Sequence, residues 1–584
     1  MKYFVVIAFS LFFNNLFGQN FYQQTKSSTQ WVDSVFNALT PTERIAQLMI
    51  IRAHSNLGAD HINQVTNLIQ KYNVGGLCFF QGGPVCQAKL TNYYQSITKT
   101  PLLISMDAEW GLGMRLDSVI PFPKNFALGA IQNSNIVYKV GNAVGEQCKR
   151  LGIQLNFAPV ADVNNNPNNP VINDRSFGEN KYKVAENTIQ YMKGLQDIGV
   201  MACAKHFPGH GDVDVDSHLD LPLLNKTLIQ LDSLELYPFK QLIKNNVSTI
   251  MMAHLQVPSI DSNQHFATSL SKYAVNDLLK SKLNFKGLVI TDALEMKGVS
   301  KFFPNGESSV QALIAGNDLI CLPENVEQSI QKIDSALQTG RISAIDFEKS
   351  VKKVLLVKYN LNLHHLKPID TTNLIQDINA NTKKLLIEIA ENSITKVKLN
   401  NQNIIKSIHI CELKKSKSKI AVVTIGYEAE TVFSKILQQQ LNVDRYFFKN
   451  ANLKNERSVE MIEPKPGQVL IDNKLRLQMA KNLIDSCLKI KKYDAIIVAI
   501  ENYSRRPANN FGLSETDLFL IKTLAKENKT INFFFGNPYA IKNVCNAANI
   551  IACYDDSDET QAKAVDFLQG KFKAKGVLPV KVCN

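Results

Sequence analysis

Between residues 40 and 360 the sequence alternates short apolar runs with longer amphipathic segments, and this alternation constrains the fold more than any other feature. Repeated βα units call for a parallel sheet whose strands are buried on both faces. Eight such runs in succession predict a (β/α)8 TIM-like barrel within an α/β fold. The predicted strands are 48–51, 76–80, 102–106, 156–160, 201–204, 249–253, 287–291 and 318–322.

Polar side chains follow these predicted strands at one end. The carboxyl ends of barrel strands meet at one face, where enzymes of this architecture build their active sites from loops. Polar residues placed only for solubility would follow both ends alike, so the pattern favours catalysis. The residues are Asp107 and Glu109 after strand three, Asp162 after strand four, Lys205 and His206 after strand five, His254 after strand six and Asp292 after strand seven.

The segment 202–218 holds three histidines, three aspartates and a lysine behind a short apolar run. A solvated loop does not need this density of ionisable groups, and a core would not tolerate it unpaired. Proline and glycine at 208–211 permit the sharp turn that delivers Asp216 and His218. A carboxylate at one ring nitrogen raises the basicity of a histidine and leaves the other nitrogen to exchange protons. The segment is therefore predicted to be an active-site loop.

Two alternatives stay open for these side chains. His206, His210 and His218 with one aspartate could instead form a metal site, because spacing alone does not distinguish a dyad from a ligand set. Lys205 can donate to the hydroxyls of a polar substrate or can serve as half of a structural ion pair. Asp292, at the end of a buried strand, could be a nucleophile facing an acid across a sugar, or could cap the following helix.

The second half of the chain has a different organisation. Residues 361–384 are polar and irregular and are predicted to be a linker with short helical pieces, between a barrel at 21–360 and a second domain at 385–584. Apolar runs at 419–425, 495–500, 531–536 and 550–554, with a helical stretch at 472–489, predict a doubly wound α/β sheet. This part shows no compact catalytic constellation.

Composition excludes several classes of function. The net charge of +13 comes from lysines dispersed along the chain, without a basic block, which argues against nucleic-acid binding. Residues 1–20 have the charged start and short apolar segment of a secretory signal, and no later run is long enough to span a membrane. A periplasmic or secreted protein is expected. The ten cysteines show no CxxC spacing, and possible disulfides cannot be paired from the sequence.

Two motifs resemble glycoside hydrolase family 3, and in particular its bacterial β-N-acetylhexosaminidase branch. They are Lys-His-Phe-Pro-Gly-His-Gly-Asp at 205–212, continued by Asp-Ser-His at 216–218, and Thr-Asp-Ala-Leu-Glu-Met at 291–296. The resemblance implies a barrel followed by an α/β sandwich domain, and a retaining mechanism. By this resemblance Asp292 is the nucleophile, His218 the acid/base and Asp216 its partner, and neither a metal nor a cofactor is needed.

The resemblance also implies which residues bind the sugar. They are Asp107, Arg115, Arg175, Lys205 and His206, whose carboxylate, guanidinium and ammonium groups can bond to hydroxyls. The family usually has glycine where this chain has Trp110, so the ring there is expected to narrow or extend the site.

The predicted function is that of an exo-acting β-N-acetylglucosaminidase that removes terminal N-acetylglucosamine from peptidoglycan fragments or chitin oligomers. The partner is then an oligosaccharide or glycopeptide substrate, with no nucleic acid and no integral membrane segment once the signal is removed. The alternatives are a family 3 β-glycosidase of other sugar preference, a phosphorylase, a metal-dependent hydrolase and a silent sugar-binding protein. The sequence carries no signal for the oligomeric state.

Overall fold

The computed structural model describes residues 20–401, 419–441, 443–450, 473–490 and 493–583. It confirms the predicted barrel: eight parallel strands follow one another around the sheet in chain order, and a single bridge between Ile290 and Leu319 joins the last two. The strands are β1 Met49–Ala53, β2 Gly76–Phe79, β3 Leu103–Met106, β4 Leu155–Asn156, β5 Met201–Phe207, β6 Thr249–Met252, β7 Leu288–Thr291 and β8 Ile320–Cys321.

Helices connect these strands and form the outer layer. In chain order they are Lys26–Ala38, Pro41–Ala46, Gly58–Tyr72, Pro84–Ile97, Asn125–Ala130, Asn135–Arg150, Lys181–Asp197, Leu228–Ser233, Leu236–Lys244, Lys297–Ser300, Glu307–Ala315, Val326–Gln338 and Ala344–Asn360. A π-helix spans Tyr273–Lys282, and 3₁₀ turns lie at Leu112–Met114, Asn173–Arg175 and Thr268–Leu270.

Strand β5 is longer than predicted, which corrects the position of two site residues. Lys205 and His206 lie within the last three residues of β5 and not in the loop beyond it. The strand continues because Lys205 pairs with the chain that follows β4: its N–H donates to Pro159 and its carbonyl accepts from Ala161. The pairing of β5 with β6 shifts register between Ala204 and Phe207 at the same place.

The amino-terminal segment closes one end of the barrel. Phe21, Val32 and Phe36 belong to the same buried cluster as the inward-facing side chains of the strands. The Tyr22 hydroxyl accepts from the Leu288 N–H at the start of β7. Access to the barrel is therefore from the opposite end, where the strands have their carboxyl termini. Of the predicted signal at 1–20, only residue 20 is among the described residues.

The second sheet has six strands in the order β11-β10-β12-β13-β14-β9. They are β9 Thr395–Leu399, β10 Ile420–Gly426, β11 Val443–Lys449, β12 Ala495–Ile500, β13 Thr530–Phe534 and β14 Asn549–Ala552. All neighbours are parallel except β9, which runs antiparallel to β14. Helices lie at Leu374–Asn379, Thr382–Ser393, Val432–Gln440, Asn473–Asp485, Ala508–Phe511, Glu515–Ala525 and Asp558–Leu568, a π-helix at Ser486–Ile490, and 3₁₀ helices at Leu363–His365 and Pro538–Val544.

The predicted linker at 361–384 ends inside the helix Thr382–Ser393. Leu385 and Ile389 of this helix pack in the core cluster of the barrel, so the helix continues the outer layer of the first domain. The domain boundaries themselves stay a prediction. Within the described residues, no helix combines the length and the apolarity needed to cross a bilayer.

The second sheet packs against the barrel near its open end. Phe126 and Ala130, on a barrel helix, belong to the buried cluster on one face of this sheet. The segment 576–583 returns to the barrel, where the Val577 N–H donates to the Ala130 carbonyl and the Pro579 carbonyl accepts from Glu179. Cys545 and Cys583 form a disulfide that fixes this segment to the second domain.

Candidate active site

Lys205 lies at the centre of a chain of ion pairs at the barrel mouth. Its side chain is 2% exposed, and Nζ lies 2.6 Å from Asp107 Oδ1 and 2.7 Å from Glu109 Oε1. Arg115 Nη2 lies 2.9 Å from the other oxygen of Asp107. Asp107 and Glu109 follow β3 directly and Lys205 is part of β5, so parallel strand ends bring these charges together.

Arg175 extends this chain of charges to the histidine. It stands in the 3₁₀ turn Asn173–Arg175, and its guanidinium holds Glu109 with two nitrogens, at 2.6 Å and 2.9 Å. Arg175 Nη2 lies 3.4 Å from His206 Nε2, and His206 Nδ1 lies 2.7 Å from the buried carboxylate of Asp162. We call the seven residues the strand-end network: Asp107, Glu109, Arg115, Asp162, Arg175, Lys205 and His206.

The formal charges of the strand-end network balance, with three cations against three carboxylates besides His206. Burial alone disfavours an ionised Glu109, but Arg175 and then Lys205 outweigh it and hold the pKa of Glu109 well below its usual range. Burial likewise opposes the charge on Lys205, and Asp107 and Glu109 raise its pKa above the usual value. The network is therefore fixed and charged, and its most exposed side chains are Asp107, at 22%, and Arg115 and Arg175, at 13% each.

Asp216 and His218 form a hydrogen-bonded dyad on the loop that follows β5. His218 Nδ1 lies 2.7 Å from Asp216 Oδ1, and the same oxygen accepts from the His218 backbone N–H at 2.9 Å. The His218 side chain is 63% exposed, so Nε2 is free to meet a substrate. The hydrogen bond to Asp216 raises the pKa of His218 despite desolvation, and the charge of Asp292 adds to the rise. A histidine in this state is suited to donate a proton near neutral pH.

The segment 208–218, here called the dyad arm, is held by hydrogen bonds at His210, whereas His218 at its end is exposed. The His210 backbone N–H donates to Asp162 at 2.7 Å, and Asn169 donates to the His210 carbonyl at 2.9 Å. Gly211 approaches the chain after β4 so closely that a Cβ there would lie 1.8 Å from the Val163 carbonyl oxygen. Asp162 thus anchors both His206 and the dyad arm.

Asp292 directly follows the last residue of β7. Desolvation disfavours its charge, but His254, His206, the Ala293 N–H and His218 outweigh this and lower the pKa of Asp292 to about 2. His254 is buried, and its Nε2 lies 3.0 Å from the Ala293 carbonyl, which orients the loop that carries Asp292. An ionised, partly open carboxylate is suited to act as a nucleophile.

The histidines of the loop take separate partners. His206 faces Asp162, His210 Nε2 lies 3.3 Å from Ser217 Oγ, and His218 faces Asp216. Across the part of the chain that the structure describes, His, Cys, Asp and Glu side chains form no group of three arranged to hold a metal ion. The metal-site alternative therefore finds no ligand set in this loop.

The second domain also reaches the site, through a loop that no sequence signal marks. Arg505 Nη1 lies 3.4 Å from Asp174 Oδ1, next to Arg175 in the chain. Asn537 donates to the Asn173 side chain at 2.6 Å.

The sequence alone also assigns no role to Glu109, since its two partners come from β5 and from the turn after β4. Trp110 packs on the barrel core with the Lys124 ammonium over its ring.

Comparison with known proteins matches residues 40–357 to the glycosyl hydrolase family 3 N-terminal domain. The beta-hexosaminidase A of Pseudoalteromonas piscicida is 31% identical over 367 residues, which cover 57% of this chain and 61% of that protein. The beta-hexosaminidase LpqI of Mycobacterium tuberculosis is 32% identical over 335 residues, 55% of this chain and 83% of that protein. The chain thus spans about three fifths of the first relative and most of the second.

Among solved structures, the glycoside hydrolase family 3 beta-N-acetylglucosaminidase from Paenibacillus sp. str. FPU-7 superposes with a TM-score of 0.74 at 27% identity. The match covers 93% of this chain and 99% of that one, so it includes both the barrel and the second sheet.

Proposed function

The chain belongs to glycosyl hydrolase family 3, and from this membership we propose that it is an exo-acting, retaining β-N-acetylglucosaminidase. The observation that carries the proposal is that two groups following strands β7 and β5 have pKa values shifted in opposite directions. Asp292 has its pKa lowered to about 2, and His218 has its pKa raised by Asp216. A permanently ionised carboxylate and a protonated imidazole are what a nucleophile and an acid require at neutral pH.

In the first proposed step Asp292 attacks the anomeric carbon while the imidazolium of His218 gives its proton to the leaving oxygen. The carbon–oxygen bond to the aglycone breaks, and a glycosyl ester of Asp292 forms. In the second step neutral His218 takes a proton from water, whose oxygen bonds to the anomeric carbon and releases the Asp292 carboxylate. Two inversions retain the β configuration. Asp216 keeps the His218 ring oriented throughout.

The strand-end network would bind the sugar in this scheme. Each carboxylate oxygen of Asp107 keeps a lone pair that can accept from a hydroxyl, and Arg115, Arg175 and Lys205 can donate. Because these groups are already paired with one another, they are oriented before the substrate arrives, which reduces the cost of ordering them on binding.

We propose peptidoglycan fragments or chitin oligomers as the substrate class and the periplasm or the exterior of the cell as the location. The support for the location is the signal-like segment at 1–20 and the disulfide between Cys545 and Cys583, since disulfides persist in oxidising compartments.

The test is hydrolysis of 4-nitrophenyl N-acetyl-β-glucosaminide beside the matching glucoside, with and without phosphate, in the presence of a chelator. We expect preference for the N-acetyl sugar, no stimulation by phosphate and no loss with chelator. Proton NMR of the first product should show the β anomer. Phosphate-dependent release of a sugar phosphate would make the protein a phosphorylase, and early appearance of the α anomer would refute retention.

A covalent step is tested with a 5-fluoro N-acetylglucosaminyl fluoride. This reagent forms the glycosyl ester faster than the ester is hydrolysed, so the ester accumulates. The intact protein should gain the mass of one sugar, and peptide mapping should place that mass on Asp292. The variant Asp292→Ala should gain nothing, whereas His218→Ala should still be labelled because fluoride leaves without a proton. Labelling of the Asp292→Ala protein would assign the nucleophile elsewhere.

A further inference from the structure

The turn that carries Arg175 has an unusual backbone conformation at its first residue. The turn spans Asn173–Arg175, and Asn173 has a φ of 41°, in the left-handed region that few residues other than glycine adopt. Asn173 is buried, and its Nδ2 donates to the Pro167 carbonyl at 3.0 Å and to the Asn169 carbonyl at 3.4 Å. Such a conformation persists only where surrounding contacts hold it. The contacts of Asn173 therefore decide where Arg175 stands.

One of these contacts comes from the second domain. Asn537, three residues after the end of β13, is buried, and its Nδ2 donates to Asn173 Oδ1 at 2.6 Å. The same Nδ2 donates to the Arg505 carbonyl at 2.7 Å, and Asn537 Oδ1 accepts from the Tyr539 N–H at 3.0 Å. The amide of Asn537 is thus oriented by its own domain and presents an N–H to the turn of the barrel.

The next residue of the turn is also held from both domains. Asp174 Oδ1 lies 3.4 Å from Arg505 Nη1 of the second domain, and Asp174 Oδ2 lies 3.5 Å from Lys124 Nζ of the barrel. The third residue of the turn, Arg175, reaches into the strand-end network and binds Glu109. The second domain therefore contacts two of the three residues of a turn whose last side chain belongs to the site.

We propose that Asn537 is a positioning residue, which acts through Asn173 to hold Arg175 where the sugar binds. This inference rests on the proposed function, in which Arg175 donates to the substrate. Loss of the bond to Asn173 leaves its left-handed backbone with fewer contacts, so Arg175 is less well placed. His218 and Asp292 follow β5 and β7 and do not belong to this turn. The effect should therefore fall on binding of the sugar and not on the chemical steps.

The test uses two substitutions that keep the role of Asn537 within its own domain. Serine and aspartate can both accept from the Tyr539 N–H, as residues at the start of a helix do. Asn537→Ser is too short to reach Asn173, and Asn537→Asp sets an acceptor against Asn173 Oδ1. The measurements are kcat and KM for 4-nitrophenyl N-acetyl-β-glucosaminide, and the inhibition constant of N-acetylglucosamine as a competitor.

Both variants should raise KM and the inhibition constant about three- to tenfold, the range for one buried hydrogen bond. The kcat should stay within about twofold of the wild-type value, since a contact that serves binding alone changes KM and not kcat. If Asn537→Asp does not fold, Asn537→Ser carries the test, because it buries no charge. Thermal midpoints show which variants fold.

Tyr539→Phe is the matched control. It removes a hydroxyl that accepts from Asn164 Nδ2 at 3.1 Å, which is another side-chain hydrogen bond between the two domains. The ring that packs against Phe126 is retained. Because this bond does not involve the turn Asn173–Arg175, the variant should keep the wild-type KM and inhibition constant.

A double-mutant cycle tests whether Asn537 acts through Arg175. Arg175→Lys keeps a positive charge beside Glu109 but loses the planar fork. In this background Asn537→Ser should change the inhibition constant less than about twofold, because residues that act as one unit are not additive. A full effect of Asn537→Ser in the Arg175→Lys protein would overturn the inference.

Two other results would also overturn it. One is an unchanged KM and inhibition constant in the folded Asn537 variants, and the other is an equal rise in Tyr539→Phe, which would indicate a general loosening between the domains. Both leave the proposed function intact as long as the wild-type protein cleaves the aryl N-acetylglucosaminide. A wild-type protein without this activity would instead refute the proposed function.

Discussion

In the strand-end network the side chains of Glu109 and Lys205 are 0% and 2% exposed, whereas His218 on the dyad arm is 63% exposed. The network fixes charge by pairing Asp107 and Glu109 with Lys205 and one arginine each, and Asp162 with His206. The dyad arm carries His218, whose pKa is raised by the carboxylate of Asp216. The proposed glycosidase activity needs both: a binding surface that keeps its polarity, and a proton donor that loses and regains its proton in every cycle. The two regions share Asp162, so they are positioned together.

The largest expected difference between the regions is in stability. Glu109→Gln removes the common partner of Lys205 and Arg175 and leaves buried cations uncompensated, which should cost about 3–5 kcal/mol. Asp216→Asn, on the arm, removes one carboxylate from a partly exposed pair and should cost less than about 1 kcal/mol. Thermal unfolding of both variants at pH 7 measures the contrast. Equal losses would mean that the network is no more than a surface ion-pair chain.

His218→Ala, on the dyad arm, should have little effect on stability and a large effect on activity. The variant should fold with an unchanged thermal midpoint, because the side chain is exposed, while kcat falls about 10²- to 10⁴-fold through loss of the general acid. The variant should hydrolyse aryl glycosides whose phenol has a low pKa with a smaller loss of rate than those whose phenol has a high pKa. A good leaving group needs less protonation. A loss independent of the leaving group would argue that His218 positions the substrate and does not donate.

The smallest expected effect is on the pH dependence of kcat/KM, which should respond to a change in the dyad arm. Asp216 raises the pKa of His218, so the protonated acid persists to higher pH in the wild-type protein, and kcat/KM falls as the pH rises through that pKa. Asp216→Asn should move this alkaline limb to lower pH. Asp292, with its pKa lowered to about 2, stays ionised in both proteins. An alkaline limb that does not move would show that another group sets it.

The sequence was sufficient for the parts of the fold that depend on continuous burial. The barrel strands are apolar runs, and their ends predicted which polar residues share a face. It was insufficient where pairing extends a strand: Lys205 and His206 belong to β5 because Lys205 bonds to the chain beyond β4. Strands β9 and β11 were not predicted, since both lie at sheet edges and interrupt their apolar residues with charges.

The contacts of the site residues also differ in whether they could be predicted, according to how far apart the partners are in the sequence. Asp216 and His218 are two positions apart, so their contact follows from local geometry, whereas the bond between Arg175 and Glu109 joins residues 66 positions apart. Arg505 meets Asp174 across 331 positions, and no local pattern marks such a pair. A residue that acquires its role from a distant partner is invisible in a single sequence, even when the strand that carries it is evident.

The return of residues 576–583 to the barrel has a consequence for biosynthesis. Gly178, three residues after Arg175, is so close to this segment that a Cβ there would lie 2.4 Å from the Pro579 carbonyl oxygen. The Lys581 N–H donates to Glu179 across 402 positions. A ribosome that has finished the whole barrel has therefore not yet made the segment that supports this loop. The loop after Arg175 therefore gains these contacts only from the second domain, to which the disulfide between Cys545 and Cys583 fastens the supporting segment.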